Sequence, residues 1–228
     1  MIAAAAGGAA LLAHGALEPN SPLFGQVVGR GPREPAVYLT FDDGPNPVTT
    51  ERIVRLLQRE RVPATFFMVG RHVDRFPALA RAVARNGFAV GNHTYSHVKL
   101  TLLGPRRIAD EMARTHEAIV ARTGVTPRCF RAPHGHRNPF VTQAAARYGY
   151  CVVGWTFGVW DTARPGPAVI RRRVRERIGP GAILLLHDGD GYDPTGDRTQ
   201  TAEALPGIIE DCRSMGYEFR SLARLGHA

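Results

Sequence analysis

The sequence predicts one α/β domain in which about seven parallel strands curl into a deformed barrel. Three observations predict it. Short apolar runs alternate with segments of helical periodicity along most of the chain. The polar residues with chemical potential fall just after those apolar runs, where a parallel barrel builds its site. A length of 228 residues, 44% hydrophobic and 21% charged, suffices for one sizeable core.

The elements follow in order. Residues 36–41 read as a strand, and residues 48–60 carry apolar positions at helical spacing. The unit then recurs as strand 64–69 with helix 77–86, strand 88–91 with helix 104–123, and strand 127–130 with helix 139–148. Strand 151–155 precedes helix 167–178, strand 182–186 precedes helix 201–215, and 218–220 is a last short strand. No solenoid-type repeat is visible, so the alternation implies parallel strands with crossover helices. The catalytic domain is expected over residues 36–228. Residues 1–35 read as a leader and loop, because residues 1–17 are free of charge and rich in Ala and Gly, as in the remnant of a signal or membrane anchor.

Composition narrows the partners. The net charge of +9 is carried almost wholly by arginine, Lys99 being the sole lysine. These arginines are scattered over helical stretches without a recognition motif, so they read as a solvated surface and nucleic acid is not expected. Cys129, Cys151 and Cys212 lack metal-type spacing and are odd in number, which fits small buried hydrophobes better than a disulfide framework. His72, His116 and His227 lie away from the strand ends and are expected at the surface, whereas His136 is close enough to the strand ends to touch substrate. Trp155 is expected in the core. The absence of a Lys-Ser or Lys-Thr pair after the glycines argues against a phosphate loop, and no Gly-x-Ser-x-Gly elbow is present.

Thr40-Phe41-Asp42-Asp43-Gly44 places two adjacent carboxylates at a strand end, where opposite side-chain directions let one bind a cation and the other act as a base. An ordinary Asp-Asp-Gly-Pro turn is the bland alternative. His93 and His97, four apart, face the same way if residues 93–97 make one helical turn, and can share an ion. One Asp with two His leaves positions open for water and substrate oxygen, as a catalytic site requires. The donor set suits a divalent metal, zinc first, with cobalt, nickel or manganese able to use the same ligands.

These motifs, in this order, resemble the polysaccharide deacetylases of the NodB type, carbohydrate esterase family four, over residues 37–222. The resemblance implies Asp42 as catalytic base and Asp43, His93 and His97 as metal ligands. Arg131 in Arg131-Ala132-Pro133-His134-Gly135 is implied to orient the base, and the backbone N–H of His134 to hold the oxyanion. Leu184-Leu185-Leu186-His187-Asp188 implies His187 as general acid, paired with Asp161, and Leu185 in the pocket for the acetyl methyl. One motif departs: Gly158 and Thr162 stand where the family often has Asp and Trp, and Trp160 and His134 are the candidates to replace the missing aromatic wall. The implied activity is removal of N-acetyl groups from amino sugars in a glycan such as chitin oligomer or peptidoglycan. An O-acetyl esterase acting on xylan or another glycan and an inactive carbohydrate-binding relative are the alternatives. A monomer acting outside the cell or at its envelope, with membrane or cell-wall association, completes the expectation.

Overall fold

A computed structural model describes residues 2–224; His227 lies outside them. Eight strands form one parallel sheet: β1 Ala36–Gly44, β2 Ala64–Met68, β3 Ala89–Asn92, β4 Cys129–Phe130, β5 Cys151–Val152, β6 Phe157–Gly158, β7 Ala182–His187 and β8 Glu218–Phe219. Their order is β5-β4-β3-β2-β1-β7-β6, with β8 added beside the start of β1. The sheet curls into the deformed barrel with helices around it. Strand β6 is additional to the seven expected, and it matters because it carries Gly158 against Leu185.

Helices α1 Ile2–Leu17, α2 Thr49–Glu60, α3 Gly70–Arg75, α4 Pro77–Arg85, α5 Pro105–Thr123, α6 Pro139–Ala146, α7 Pro167–Arg177 and α8 Thr199–Ser214 complete the fold. Their sequences explain their ends. Pro opens α4, α5, α6 and α7, where its missing N–H costs nothing. Asn138 caps α6 by accepting from the Phe140 N–H at 3.1 Å. Gly124 ends α5 in the left-handed conformation, φ 75°.

Strand β1 sits centrally, between β7 on one side and β2 on the other, and all nine of its residues are buried. Burial on both faces explains its near-continuous apolar run. The two-residue alternation sorts its side chains. Val37, Leu39 and Phe41 join Phe66, Met68, Leu184 and Leu186 in the large core shared with α2, α7 and α8. Tyr38 on the opposite face packs with Phe67, Cys129 and Ile183. Thr40 and Asp42 continue that second face, and Leu185 and His187 share it on β7, where Asp42 is the direct register partner of His187. Strand pairing therefore sets a carboxylate beside an imidazole at the carboxyl end of the sheet before any loop contributes.

The three cysteines are free, with Cys129 and Cys212 buried. Ahead of β1, the chain packs on the body of the domain: the Arg137 N–H donates to Ala16 O at 3.0 Å, and its guanidinium donates to Ser21 O at 2.6 Å. Among the described residues no helix is long and apolar enough to cross a membrane.

Candidate active site

The site is a cavity of about 680 Å³ at the carboxyl ends of β1, β3 and β7, lined by Asp42, Asp43, His93, His97, His134, Trp160, Leu185 and His187 among others. Strict alternation would send Asp42 and Asp43 to opposite faces. Instead the register slips between Asp42 and Gly44, and Asp43 adopts φ 74°, so both carboxylates reach the same cavity. Strain of this sort clusters here: Asp43, Thr94, His97, His134 and Trp160 are five of the seven non-glycine residues with positive φ among those described.

The two carboxylates have different neighbours. Asp42 Oδ1 accepts from Arg131 Nη1 at 2.7 Å, and the same nitrogen donates to Thr40 Oγ1 at 2.8 Å. Arg131 is fully buried, with Nη2 donating to Gly154 O at 2.8 Å and its guanidinium 4.1 Å above the Phe67 ring. This rigid fork fixes one oxygen of Asp42 and leaves the other toward the cavity side. Asp43 meets imidazoles more closely, its Oδ1 lying 3.3 Å from His93 Nε2 and 3.0 Å from His97 Nε2, whereas Asp42 Oδ2 is 3.7 Å from His93 Nε2. Burial pushes the Asp43 carboxyl up, but the two histidines outweigh it and hold the group well below the usual carboxylate range.

Asp43, His93 and His97 are all buried, and one donor atom from each lies within 4.8 Å of the others, a group that could hold a metal ion. The donor chemistry fits. His93 Nδ1 lies 2.8 Å from Arg131 O, which assigns the proton to Nδ1 and leaves Nε2 as the lone-pair donor facing Asp43. Asp43 Oδ1 is buried without a hydrogen-bond partner, although two ring nitrogens are close. A cation between carboxylate and imidazoles would satisfy all three.

The expected helical turn over 93–97 is absent. Residues after β3 form an irregular loop in which Thr94 and His97 take φ 66° and 58°. Its geometry comes from two buried polar residues. Asn92 Oδ1 accepts from the Thr94 N–H at 3.0 Å. Glu111 of α5, 1% exposed, accepts from the N–H groups of Tyr95 and Ser96 at 2.9 and 2.8 Å and from the Ser96 hydroxyl at 2.7 Å. Those donors cost several kcal/mol if buried unpaired, so a loop displaces the helix once Glu111 supplies their acceptor. Sequence reasoning missed Glu111, yet a signal exists: it is the lone carboxylate on the stripe Ile108, Glu111, Met112, Thr115 that α5 buries.

On the other side of the cavity, His187 Nδ1 lies 2.9 Å from Asp161 Oδ1, and Asp161 Oδ2 accepts from the His187 N–H at 2.8 Å and the Thr201 hydroxyl at 2.9 Å. Burial lowers the basicity of His187, but Asp161, assisted by Asp43 and Asp42, raises its pKa to about 9. Asp161 in turn is held below the usual range, with His187 outweighing its burial. Asp188, fully buried beside Thr50, is pushed up to about 7 by burial and by Asp43 and Asp42.

Leu185 lies on the cavity floor, paired with Gly158, whose missing side chain leaves room beside it. His134 takes φ 59°, and its ring contacts that of His97 at 5.0 Å; burial and the neighbouring His97, His136 and Lys99 lower its pKa to about 4. Trp160 is 73% exposed on the rim. Trp155, expected in the core, is half-buried and lines the cavity. His72 is not at the surface: it is 1% exposed, with Nδ1 3.0 Å from Asp43 O, because α3 follows β2 directly and carries it beneath the bulge. His116 is half-buried too, bonded to the Tyr150 hydroxyl at 2.7 Å and packed on Tyr148. Glu18, Pro19 and Asn20, from the stretch read as a leader, also line the cavity, with Asn20 Nδ2 donating to Trp155 O at 2.9 Å.

Residues 29–153 match the profile of the polysaccharide deacetylase family. A chitooligosaccharide deacetylase from Bradyrhizobium is 39% identical over 83% of this chain and 90% of its own. A peptidoglycan-N-acetylglucosamine deacetylase from Bacillus cereus is 32% identical over 92% of this chain and 95% of its own. A carbohydrate esterase family 4 pseudoenzyme from Bacillus anthracis superposes with a TM-score of 0.81 at 31% identity, covering 90% of this chain and 69% of that one. With the family profile matching more than half of the chain and relatives 32% and 39% identical over most of it, the chain belongs to the polysaccharide deacetylase family.

Proposed function

We propose that the protein is a metal-dependent hydrolase that removes the acetyl group from N-acetylated amino sugars in a poly- or oligosaccharide. The observation that carries this reading is the division of labour inside one cavity: Asp43 with His93 and His97 on one side, Asp42 clamped by Arg131 beside them, and His187, bonded to Asp161, on the other side. Asp43, His93 and His97 hold the ion, zinc first among divalent metals, with cobalt, nickel or manganese able to replace it. Once bound, a divalent ion polarises the acetamide carbonyl and lowers the pKa of water.

The protein groups do the rest. Asp42 accepts the proton of the attacking water through the oxygen that Arg131 leaves free, and Arg131 holds that carboxylate in place. The backbone N–H of His134 stabilises the oxyanion, a contribution of about 3 kcal/mol per donor in comparable sites. His187 protonates the nitrogen as the C–N bond breaks, which is required because an amide anion is too poor a leaving group at neutral pH. Asp161 orients that ring and keeps it charged. Leu185 receives the acetyl methyl, and acetate and a free amino sugar leave. Action on cell-envelope or extracellular glycan agrees with the substrates for which the relatives are named; that the protein works as a monomer is part of the proposal.

Resemblance to a pseudoenzyme raises a second reading, a carbohydrate binder without turnover. Against it, Asp42, the three ligand candidates and His187 are all in place with their partners. Acetate release decides. The protein is incubated with each metal and with N-acetylglucosamine oligomers, peptidoglycan fragments and acetylated xylan. Release from an N-acetyl substrate only when metal is present supports the proposal; release from xylan alone makes it an O-acetyl esterase; none from any substrate makes it a binder.

A further inference from the structure

Tyr192 is out of place for a solvated loop. It is 59% exposed, yet the segment that presents it is fixed from every side. Asp190 Oδ1 accepts from the N–H groups of Tyr192 and Asp193 at 2.9 and 3.1 Å, and Asp190 Oδ2 accepts from Arg198 Nη2 at 2.7 Å. Arg71 Nη2 donates to Gly191 O at 2.6 Å and Tyr192 O at 3.0 Å, and Asn46 Nδ2 donates to Gly196 O at 3.1 Å. Ordering a loop costs conformational entropy, and here the result is an aromatic ring held toward solvent. A ring so held is pre-organised for a ligand.

Its surroundings say which ligand. The Tyr192 ring stands edge-on to His97 at 5.0 Å, and its hydroxyl lies 3.0 Å from His134 Nε2. The rings of Tyr192 and His134 are near parallel, 26° apart, and His136 continues the row 5.7 Å beyond His134. The row is an aromatic ledge with polar edges. It opens onto the same cavity as the metal-ligand group, on the His97 side, whereas Trp160 adjoins Asp161 on the acid side. A pyranose ring, with an apolar face of C–H groups and hydroxyls at its rim, matches such a surface.

We propose that Tyr192, with His134 and His136, forms a stacking platform for a sugar adjacent to the one being deacetylated, so that the protein selects a glycan chain over a single sugar. This rests on the glycan reading above, and binding separates the two. Metal-loaded Asp42→Asn protein is titrated with the N-acetylglucosamine tetramer by calorimetry and with the monosaccharide by ligand-observed NMR, with and without Tyr192→Ala or Tyr192→Phe. Tyr192→Ala is expected to weaken tetramer binding about tenfold and the monosaccharide no more than about twofold, while Tyr192→Phe keeps tetramer binding within about threefold. Tetramer affinity unchanged by Tyr192→Ala, equal weakening for both ligands, or no tetramer binding by the parent overturns the platform. If the parent binds the tetramer as expected but the protein with Asp42 intact releases no acetate, the hydrolase reading falls and the platform stands.

Discussion

The floor of the cavity and its rim are held in place by different means. On the floor, Asp42, Asp43, His93, Arg131 and Asp161 are all 5% exposed or less, and each meets a buried partner side chain, Thr201 in the case of Asp161. On the rim, Trp160 and Tyr192 are 73% and 59% exposed and sit on short loops, that of Tyr192 tied down by the side chains of Asp190, Arg198 and Arg71. The floor inherits its geometry from strand register, since Asp42 and His187 are direct partners across β1 and β7. The rim depends on loops that a few insertions can rebuild. Chemistry is thus fixed where the fold is stiffest, and substrate preference is set where it is easiest to change.

Breaking the floor should be far more costly than breaking the rim. His97→Ala or treatment with a chelator is expected to abolish acetate release together with bound metal, read by metal analysis and activity on one preparation; full activity in the stripped protein would remove the metal from the account. His187→Ala is expected to slow N-acetyl hydrolysis on the order of 100-fold or more, and an aryl acetate much less, because a phenolate departs without a proton. Equal slowing of both substrates would assign His187 a structural or oxyanion role.

Glu111→Gln tests whether the loop that carries His97 is held by charge. Metal affinity is expected to fall about 10- to 100-fold, as for groups that support metal ligands, with the fold intact by circular dichroism. The smallest effect is on pH dependence. His187 must be protonated to act, so the rate falls as pH rises through its pKa, which Asp161 raises. Asp161→Asn lowers that pKa and moves the alkaline limb to lower pH; an unmoved limb would mean that Asp161 does not stabilise the imidazolium.

The contrast between floor and rim also decides what could be read from the sequence. Strand ends are visible as apolar runs followed by polar residues, so Asp42, Asp43, His93, Arg131, Asp161 and His187 could be gathered on one face without coordinates. The reach of Asp43 into the same cavity as Asp42 could not, because a register slip leaves no period to detect. The loop over 93–97 misled for a related reason: four-residue spacing implies a helical turn, but the acceptor that favours a loop, Glu111, lies fourteen residues beyond His97 on another element. Tyr192 and the Glu18–Asn20 stretch were invisible as site residues, since nothing local distinguishes an ordered loop from a solvated one.

The central claim is that two adjacent carboxylates have separate tasks, Asp43 binding the metal and Asp42 taking the proton. Measuring bound metal and acetate release on the same sample of Asp42→Asn tests it most directly. The amide has no charge to accept a proton, while Asp43 keeps its contacts with His93 and His97. The expected result is a metal content equal to the parent's with turnover reduced by on the order of 100-fold or more. Metal and activity lost in the same proportion, or activity retained, would contradict the division.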